Sequence, residues 1–344
     1  MSHNKKSFGG VLQPLVDLLS RLPRLDGKLN GQEIVLERDG IQAIVALDVD
    51  EAIHLLITPA PNNDLRLAKL DLKGLKVVTK EWAIAGRPIR LYLDISCAIG
   101  IMPAFKRPFL RFTEDVLLEI SESEISPADA VYRTGTRWKK FWSADAPTEV
   151  TTEWLNGLFG ELIFLHHLIE RYGTDAVFCW AGTSGADHDF QKGKDIAIEV
   201  KTSMKMPLKI HCNIRQLDTD IFKKLFIVCY HLSYSDKGIT LPEIVRMIEK
   251  SLELEVNLLD IFYEKLAASK YSCELEVVYL EKSFTYSQEL IYRVNDSFPK
   301  ITGASFNNPP DHRISDIRYT LQLTSLEELS FDEVKDEISE IAKQ

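Results

Sequence analysis

The chain has 344 residues, of which 45% are apolar and 27% charged, enough to bury a core and too apolar for bulk disorder. No run approaches the roughly 18 apolar residues of a membrane span, and MSHNKKSFGG carries no apolar stretch of a signal peptide, so no membrane partner is expected. The five scattered cysteines lack any C-x-x-C, which argues against a disulfide framework or zinc knuckle and fits a reducing cytoplasm.

The net charge of −10 speaks against general nucleic-acid binding, but its distribution is uneven. Residues 325–344 hold seven acids and two lysines, half of the total imbalance. Residues 191–215 reverse the sign, with six bases against two acids. Such a segment is compatible with phosphate, and equally with an ordinary solvated face.

In chain order, residues 33–37, 41–47, 52–58, 75–85 and 88–95 read as short strands, with Asp39-Gly40 as a tight hairpin turn between the first two. A loop is expected at Pro61–Asp64. Helices follow near 105–119 and 127–142, the second opened by Ser126-Pro127. The chain then passes between domains near Ser143–Pro147. The clearest helix runs from Thr151 to Tyr172 and closes at Gly173, with Leu155, Leu158, Leu162, Leu165, Ile169 and Tyr172 on one face. Beyond it, strands are expected at 176–181, 188–191, 195–202, 208–212 and 226–230, and helices at 241–252 and 258–268. Further strands at 274–280, 289–294 and 317–323 precede an acidic terminal helix.

The chemistry concentrates between Asp187 and Ser203. In Asp195–Lys201, Ile196, Ile198 and Val200 alternate with Asp195, Ala197, Glu199 and Lys201, so they share one face of a strand. Glu199 and Lys201 project from the other face, about 7 Å apart. Lys192-Gly193-Lys194 forms a hairpin turn that can bring Asp189 beside Glu199. Two carboxylates suit Mg²⁺, which keeps several waters and completes its shell on substrate phosphate. A nearby lysine can orient water or offset developing charge. The plainer alternative is a solvated or cross-strand ion pair, the usual role of Glu-x-Lys on an amphipathic strand. Glu161 sits within the apolar stripe of Trp154, Leu158, Leu165 and Leu168, where an acid needs a partner. It can point toward the sheet or lie at the stripe's edge and reach water.

Other groups are weaker. His166-His167 cannot face one site, because helix neighbours diverge by about 100°. Asp48, Asp50 and Glu51 lack the glycine and glutamate of a calcium loop. Gly182–Gly185 lacks the lysine of a P-loop. Cys179 and Cys212 read as buried fillers. The basic and aromatic stretch Tyr132–Trp142 could stack single strands, although a helix with core tryptophans is favoured.

The segment from Trp154 to Leu217 resembles the PD-(D/E)XK nuclease superfamily, and within it a branch associated with bacterial restriction and phage-defence clusters. The resemblance is carried by Gly157–Leu162, His188-Asp189-Phe190, Glu199-Val200-Lys201-Thr202, and His211 through Gln216-Leu217. It departs from the family's spelling at His188, where the name has proline. The resemblance implies that Asp189 and Glu199 are metal ligands, Lys201 the catalytic lysine, Glu161 the helical acid near the metal, and Gln216 an auxiliary residue. Lys192, Lys194, Lys205 and Arg215 are candidate phosphate contacts.

The expected fold is α/β (α+β): a restriction-endonuclease-like core with a mixed sheet flanked by helices, at 146–235. A β-rich domain that reads DNA or docks a subunit precedes it at 1–145, and an α+β extension follows at 236–344. The expected function is metal-dependent DNA cleavage with Mg²⁺, or Mn²⁺ as a substitute, in a restriction-type defence system. The resemblance implies an ATPase and a methyltransferase as partners. Cutting a duplex needs two active sites or two visits, which suits a homodimer. The competing readings are an inactive nuclease fold kept as a DNA-binding or assembly subunit, and a repair nuclease.

Overall fold

The computed structural model describes residues 29–342, apart from 37, 62–63, 71, 73, 98–105, 143–148, 183–185, 253–254, 273–274, 288, 309–310, 312 and 315. The expected interdomain passage at Ser143–Pro147 and the centre of the Pro61–Asp64 loop lie outside the described residues. Contacts divide the chain into two compact units: 1–146 with 272–275, and 147–271 with 276–344.

The N-terminal unit holds an antiparallel sheet of β1 (Asn30–Ile34), β2 (Gln42–Leu47), β3 (Ile53–Thr58), β4 (Leu75–Trp82) and β5 (Arg90–Cys97), in the order β1-β2-β3-β5-β4. Ile44, Ala46, Leu56, Ile84 and Tyr92 form one buried cluster on it. Asp39-Gly40 lies inside a longer loop than expected, because the first pairing closes at Ile34 opposite Ala43. Gly40 still takes the left-handed conformation, with φ +76°. Two helices follow, α1 (Lys106–Glu122) and α2 (Pro127–Trp142). Trp138 is buried and donates from Nε1 to Asp115 Oδ2 at 2.8 Å, so this tryptophan is core rather than a stacking platform.

The C-terminal unit is built around α3 (Thr152–Tyr172). Its ends follow from the sequence: the Thr151 side chain accepts from the Trp154 amide, and the Gly173 amide donates back to Ile169 O. The mixed sheet has the order β10-β9-β7-β6, from β6 (Phe190–Lys192), β7 (Ile196–Ser203), β9 (Lys224–Thr240) and β10 (Ser283–Tyr286), and β11 (Leu290–Arg293) also pairs with β9. β7 and β9 are parallel, whereas the other pairs are antiparallel. This mixed sheet flanked by helices is consistent with a restriction-endonuclease-like α+β fold. Gly160 lets α3 lie directly on β7, since a Cβ there would overlap Thr202 Cγ2. Ala197, Ile227 and Cys229 pack with Leu208, Ile210 and Cys212. The last two belong to β8 (Lys209–Asn213), which pairs with β12 (Arg318–Gln322) in a separate two-stranded ribbon. Helices α4 (Leu241–Ser251), α5 (Val256–Ala268), α6 (Glu276–Leu280) and α7 (Phe331–Ala342) complete the unit.

Two expected strands are helical. Residues 176–181 fall mostly in a 3₁₀ turn, Thr174–Cys179, in which the Trp180 amide bonds Val177 O. Residues 274–280 end in α6, where Tyr279 stacks near Trp154 and Tyr271. A short apolar run does not distinguish a buried strand from a buried helical turn. Conversely, β10 and the polar second half of β9 pair with each other although neither alternates cleanly in sequence. No helix among the described residues is long and apolar enough to cross a membrane.

Candidate active site

β6 and β7 form the hairpin that carries the site. Lys192 pairs with Ile196 and Phe190 with Ile198, and the Asp195 amide closes the turn on Lys192 O. Continuing that register puts Asp189 opposite Glu199. The carboxylate of Asp189 also crosses to β7, where Oδ2 accepts from the Val200 amide at 2.8 Å.

Glu199 is 1% exposed. Its Oε1 lies 2.7 Å from Lys201 Nζ and accepts from Gln216 Nε2. Gln216 Oε1 accepts from Lys201 Nζ at 3.2 Å and from the Asn213 amide at 3.1 Å. Asn213 Oδ1 in turn accepts from the amides of Arg215 and Gln216. On the other side, the Trp180 indole N–H holds Glu161 Oε2 at 2.8 Å. A Cβ built on Gly182 would lie 3.0 Å from Asp189 Oδ1 and 3.5 Å from Glu161 Oε2, so the backbone of Gly182 covers both acids closely.

The electrostatics follow from burial and crowding. Burial, then the charge of Asp189, pushes Glu161 up to about 8. Burial, then the charge of Glu199, pushes Asp189 up to about 8. Burial also raises Glu199, against the pull of Lys201. For Lys201 burial acts downward, but Glu199 and Asp189 overcome it and hold the ammonium well above the usual lysine range.

One atom stands out. Glu199 Oε2 is buried and has no hydrogen-bond partner. An orphaned carboxylate oxygen costs free energy unless a cation or donor meets it. Among the described residues no three His, Cys, Asp or Glu side chains converge as a fully protein-ligated ion requires. Mg²⁺ needs only one or two carboxylates with waters and substrate oxygens, so the bare Glu199 Oε2, with the Asp189 carboxylate on the facing strand's end, is a donor set of the kind such an ion takes.

The structure thus brings Asp189, Glu199, Lys201, Glu161 and Gln216 together. A family model described as "Putative PD-(D/E)XK family member, (DUF4420)" matches residues 23–324. The chain belongs to this family. Membership suggests a nuclease, which would act on DNA, and PD-(D/E)XK nucleases generally use divalent metals. No curated protein and no solved structure matches the chain.

The predicted phosphate contacts divide. Lys205 and Arg215 are exposed and flank the β8 side of the family's motif residues; Arg215 sits 3.9 Å from Asp187. Lys192 and Lys194 lie at the far end of the hairpin, and Lys192 Nζ donates to Glu340 O of α7 at 3.1 Å. Cys179 and Cys212 are buried, with thiols pushed up to about 11 chiefly by burial. His166 and His167 point to different acids, Glu170 and Glu289. Of the glycine-rich 182–185 stretch, 183–185 lie outside the described residues.

Four contributors were given no role in the site by the sequence: Trp180, Gly182, Asn213 and His188, the last seen only as a departure from the motif's proline. His188 is buried and its Nε2 donates to Gln216 O at 2.9 Å, tying the turn after β8 to the hairpin. Only Asn213 left a sequence signal, as an Asx turn two residues before Arg215. The other three act through tertiary contacts.

Proposed function

We propose that the chain is a metal-dependent endodeoxyribonuclease, with Mg²⁺ as its ion and Mn²⁺ as a working substitute. The observation that carries the reading is the bare, buried Oε2 of Glu199, on the same carboxylate whose other oxygen meets the Lys201 ammonium. Asp189 and Glu199 would hold the ion. When bound, the ion supplies charge stabilisation at the phosphate oxygens and a water of lowered pKa.

The chain's own groups then have distinct tasks. Lys201 donates to two acceptors, Glu199 and Gln216, so it acts as a proton-bearing cation that orients water and offsets phosphate charge. Gln216 fixes both Glu199 and Lys201 from one amide. Glu161, kept in place by Trp180, stands ready as a further ligand or as a proton carrier at Oε1. A restriction or phage-defence setting, with an ATPase and a methyltransferase alongside, rests on the resemblance alone.

The mutual hydrogen bonding of Glu199, Lys201 and Gln216 favours a second reading, a nuclease fold kept as a DNA-binding or assembly subunit. A cleavage assay separates the two. The protein and its Lys201→Ala variant are incubated with plasmid and single-stranded DNA under Mg²⁺, Mn²⁺ or EDTA. Cutting that needs metal and is lost in the variant is expected. No cutting, together with no Mn²⁺ binding by calorimetry, would sink the nuclease and leave the binding subunit.

A further inference from the structure

We propose that the outward face of the β8–β12 ribbon is the surface that seats duplex DNA beside the site, with the ribbon lying in the major groove. The proposal rests on the nuclease reading and adds where the duplex lies.

The ribbon has two unlike faces. Ile210 and Cys212 point inward and are buried, and Tyr319 and Leu321 pack against the same core. The register sets the outward pairs: Asn213 with Arg318, His211 with Thr320, and Lys209 with Gln322. In a chain with 51 acids and 41 Lys and Arg, none of these six side chains is an acid. All six can donate a hydrogen bond, the set that serves phosphates and base edges. Lys209 has no carboxylate partner among the described residues. Arg318 pairs with Asp316 at 2.7 Å, but their side chains are 75% and 50% exposed, so the pair is weak and exchangeable for phosphate.

The ribbon also adjoins the chemistry. Asn213, the last residue of β8, donates its amide to the Gln216 carboxamide, which touches Glu199 and Lys201. One side chain therefore separates ribbon and site. A two-stranded ribbon fits the major groove, which is about 12 Å wide, and five residues per strand span about 17 Å of it. Lys209 and Arg318 would meet phosphates, while Asn213, Thr320 and Gln322 would face base edges.

The test is equilibrium binding by fluorescence anisotropy, on the full chain, in EDTA so that no cutting occurs, over a salt series. The probe is a labelled duplex a few helical turns long, compared with its single strand. The variants are Lys209→Gln with Arg318→Gln, and separately Thr320→Glu. Lys223→Gln with Lys335→Gln makes the same charge change at the far end, beside and on α7. Both ribbon variants should bind duplex roughly tenfold or more weakly, and the double variant should lose about two from the log–log salt slope. The far-end control should stay within about twofold of wild type. Bulky C5 substituents on the duplex cytosines should weaken wild-type binding to the level of the ribbon variants. Ribbon variants that melt like wild type and bind like it would overturn the proposal, while Mn²⁺-dependent cutting by wild type would still uphold the nuclease. Preference for the single strand, or indifference to the C5 substituents, would overturn the groove placement. Wild type that neither binds nor cuts DNA would remove the nuclease reading and the ribbon with it.

Discussion

Each unit buries a small cluster of acids around a base, and the two clusters are finished differently. In the N-terminal unit His54 is buried between two carboxylates, with Nδ1 2.9 Å from Asp94 and Nε2 3.3 Å from Asp48. The second oxygen of Asp94 takes the Trp82 indole N–H at 2.8 Å, and Asp48 Oδ1 takes the amides of Asp50 and Ala52. Both ring nitrogens and both Asp94 oxygens are thus used. In the C-terminal unit Glu199 has one oxygen that accepts from both Lys201 and Gln216 and the other bare, while Asp189 and Glu161 crowd it and are pushed up to about 8. A closed buried network holds structure, whereas an open one with like charges stores a demand for a cation. Of the acids that stand together in sequence, Asp48, Asp50 and Glu51, Asp48 serves the closed network through its carboxylate and Asp50 through its backbone amide.

The largest expected effect comes from removing the base of the open cluster. Lys201→Met should lower metal-dependent cleavage by roughly a hundred- to a thousandfold, the usual loss when a charge-stabilising donor is deleted. It should also leave Mn²⁺ binding measurable by calorimetry, because the two carboxylates remain. Wild-type cleavage rates in the variant would mean that Lys201 serves only as a counter-ion to Glu199.

The next effect belongs to a third cluster, also closed, which shows what a stabilising ion pair does here. Glu289 accepts from His167 Nδ1 at 2.6 Å and from Arg171 at 2.7 Å. Burial would raise its pKa, but those two partners bring it down to about 2. A depressed carboxylate contributes stability that is present above its unfolded value near 4.5 and is lost as pH falls through about 2. Glu289→Gln should therefore cost on the order of 2 kcal/mol at neutral pH and much less near pH 2. Urea unfolding at several pH values checks this, and equal midpoints for variant and wild type at neutral pH would count against it.

A finer probe returns to the open cluster. Gly182→Ala would set a Cβ 3.0 Å from Asp189 Oδ1 and 3.1 Å from its Cα. One of them must give by a few tenths of an ångström, which displaces a proposed ligand without removing it. Mn²⁺ affinity should fall roughly tenfold, as outer-shell changes do. Unchanged affinity would mean that Asp189 Oδ1 is not a ligand.

The contrast between clusters also marks how far the sequence could be read. Local rules gave the parts with local causes: α3 between Thr151 and Gly173, the hairpin that sets Asp189 across from Glu199, and Glu161 as an acid out of place on an apolar stripe. The misread segments, 176–181 and 274–280, are short apolar runs whose conformation is decided by packing. Trp180 and Gly182 act across the fold on Glu161 and Asp189, so no spacing rule exposes them. The same limit hid the closed cluster, because His54 and Asp94 stand forty residues apart.

The smallest effect tests that closed cluster by its pH dependence. Burial lowers the pKa of His54, but Asp94 and then Asp48 more than reverse this, so the net shift is upward. A histidine raised on folding contributes stability that is fully present below its unfolded value near 6.5. That contribution fades as pH rises through the folded value. Asp94→Asn removes the stronger partner and should flatten this dependence. The two proteins should therefore differ most in urea midpoint at mildly acidic pH and converge as pH rises. A difference that grows with pH would mean that His54 is neutral in the fold. The two carboxylates around it would then face a neutral ring, whereas Glu199 faces the Lys201 ammonium.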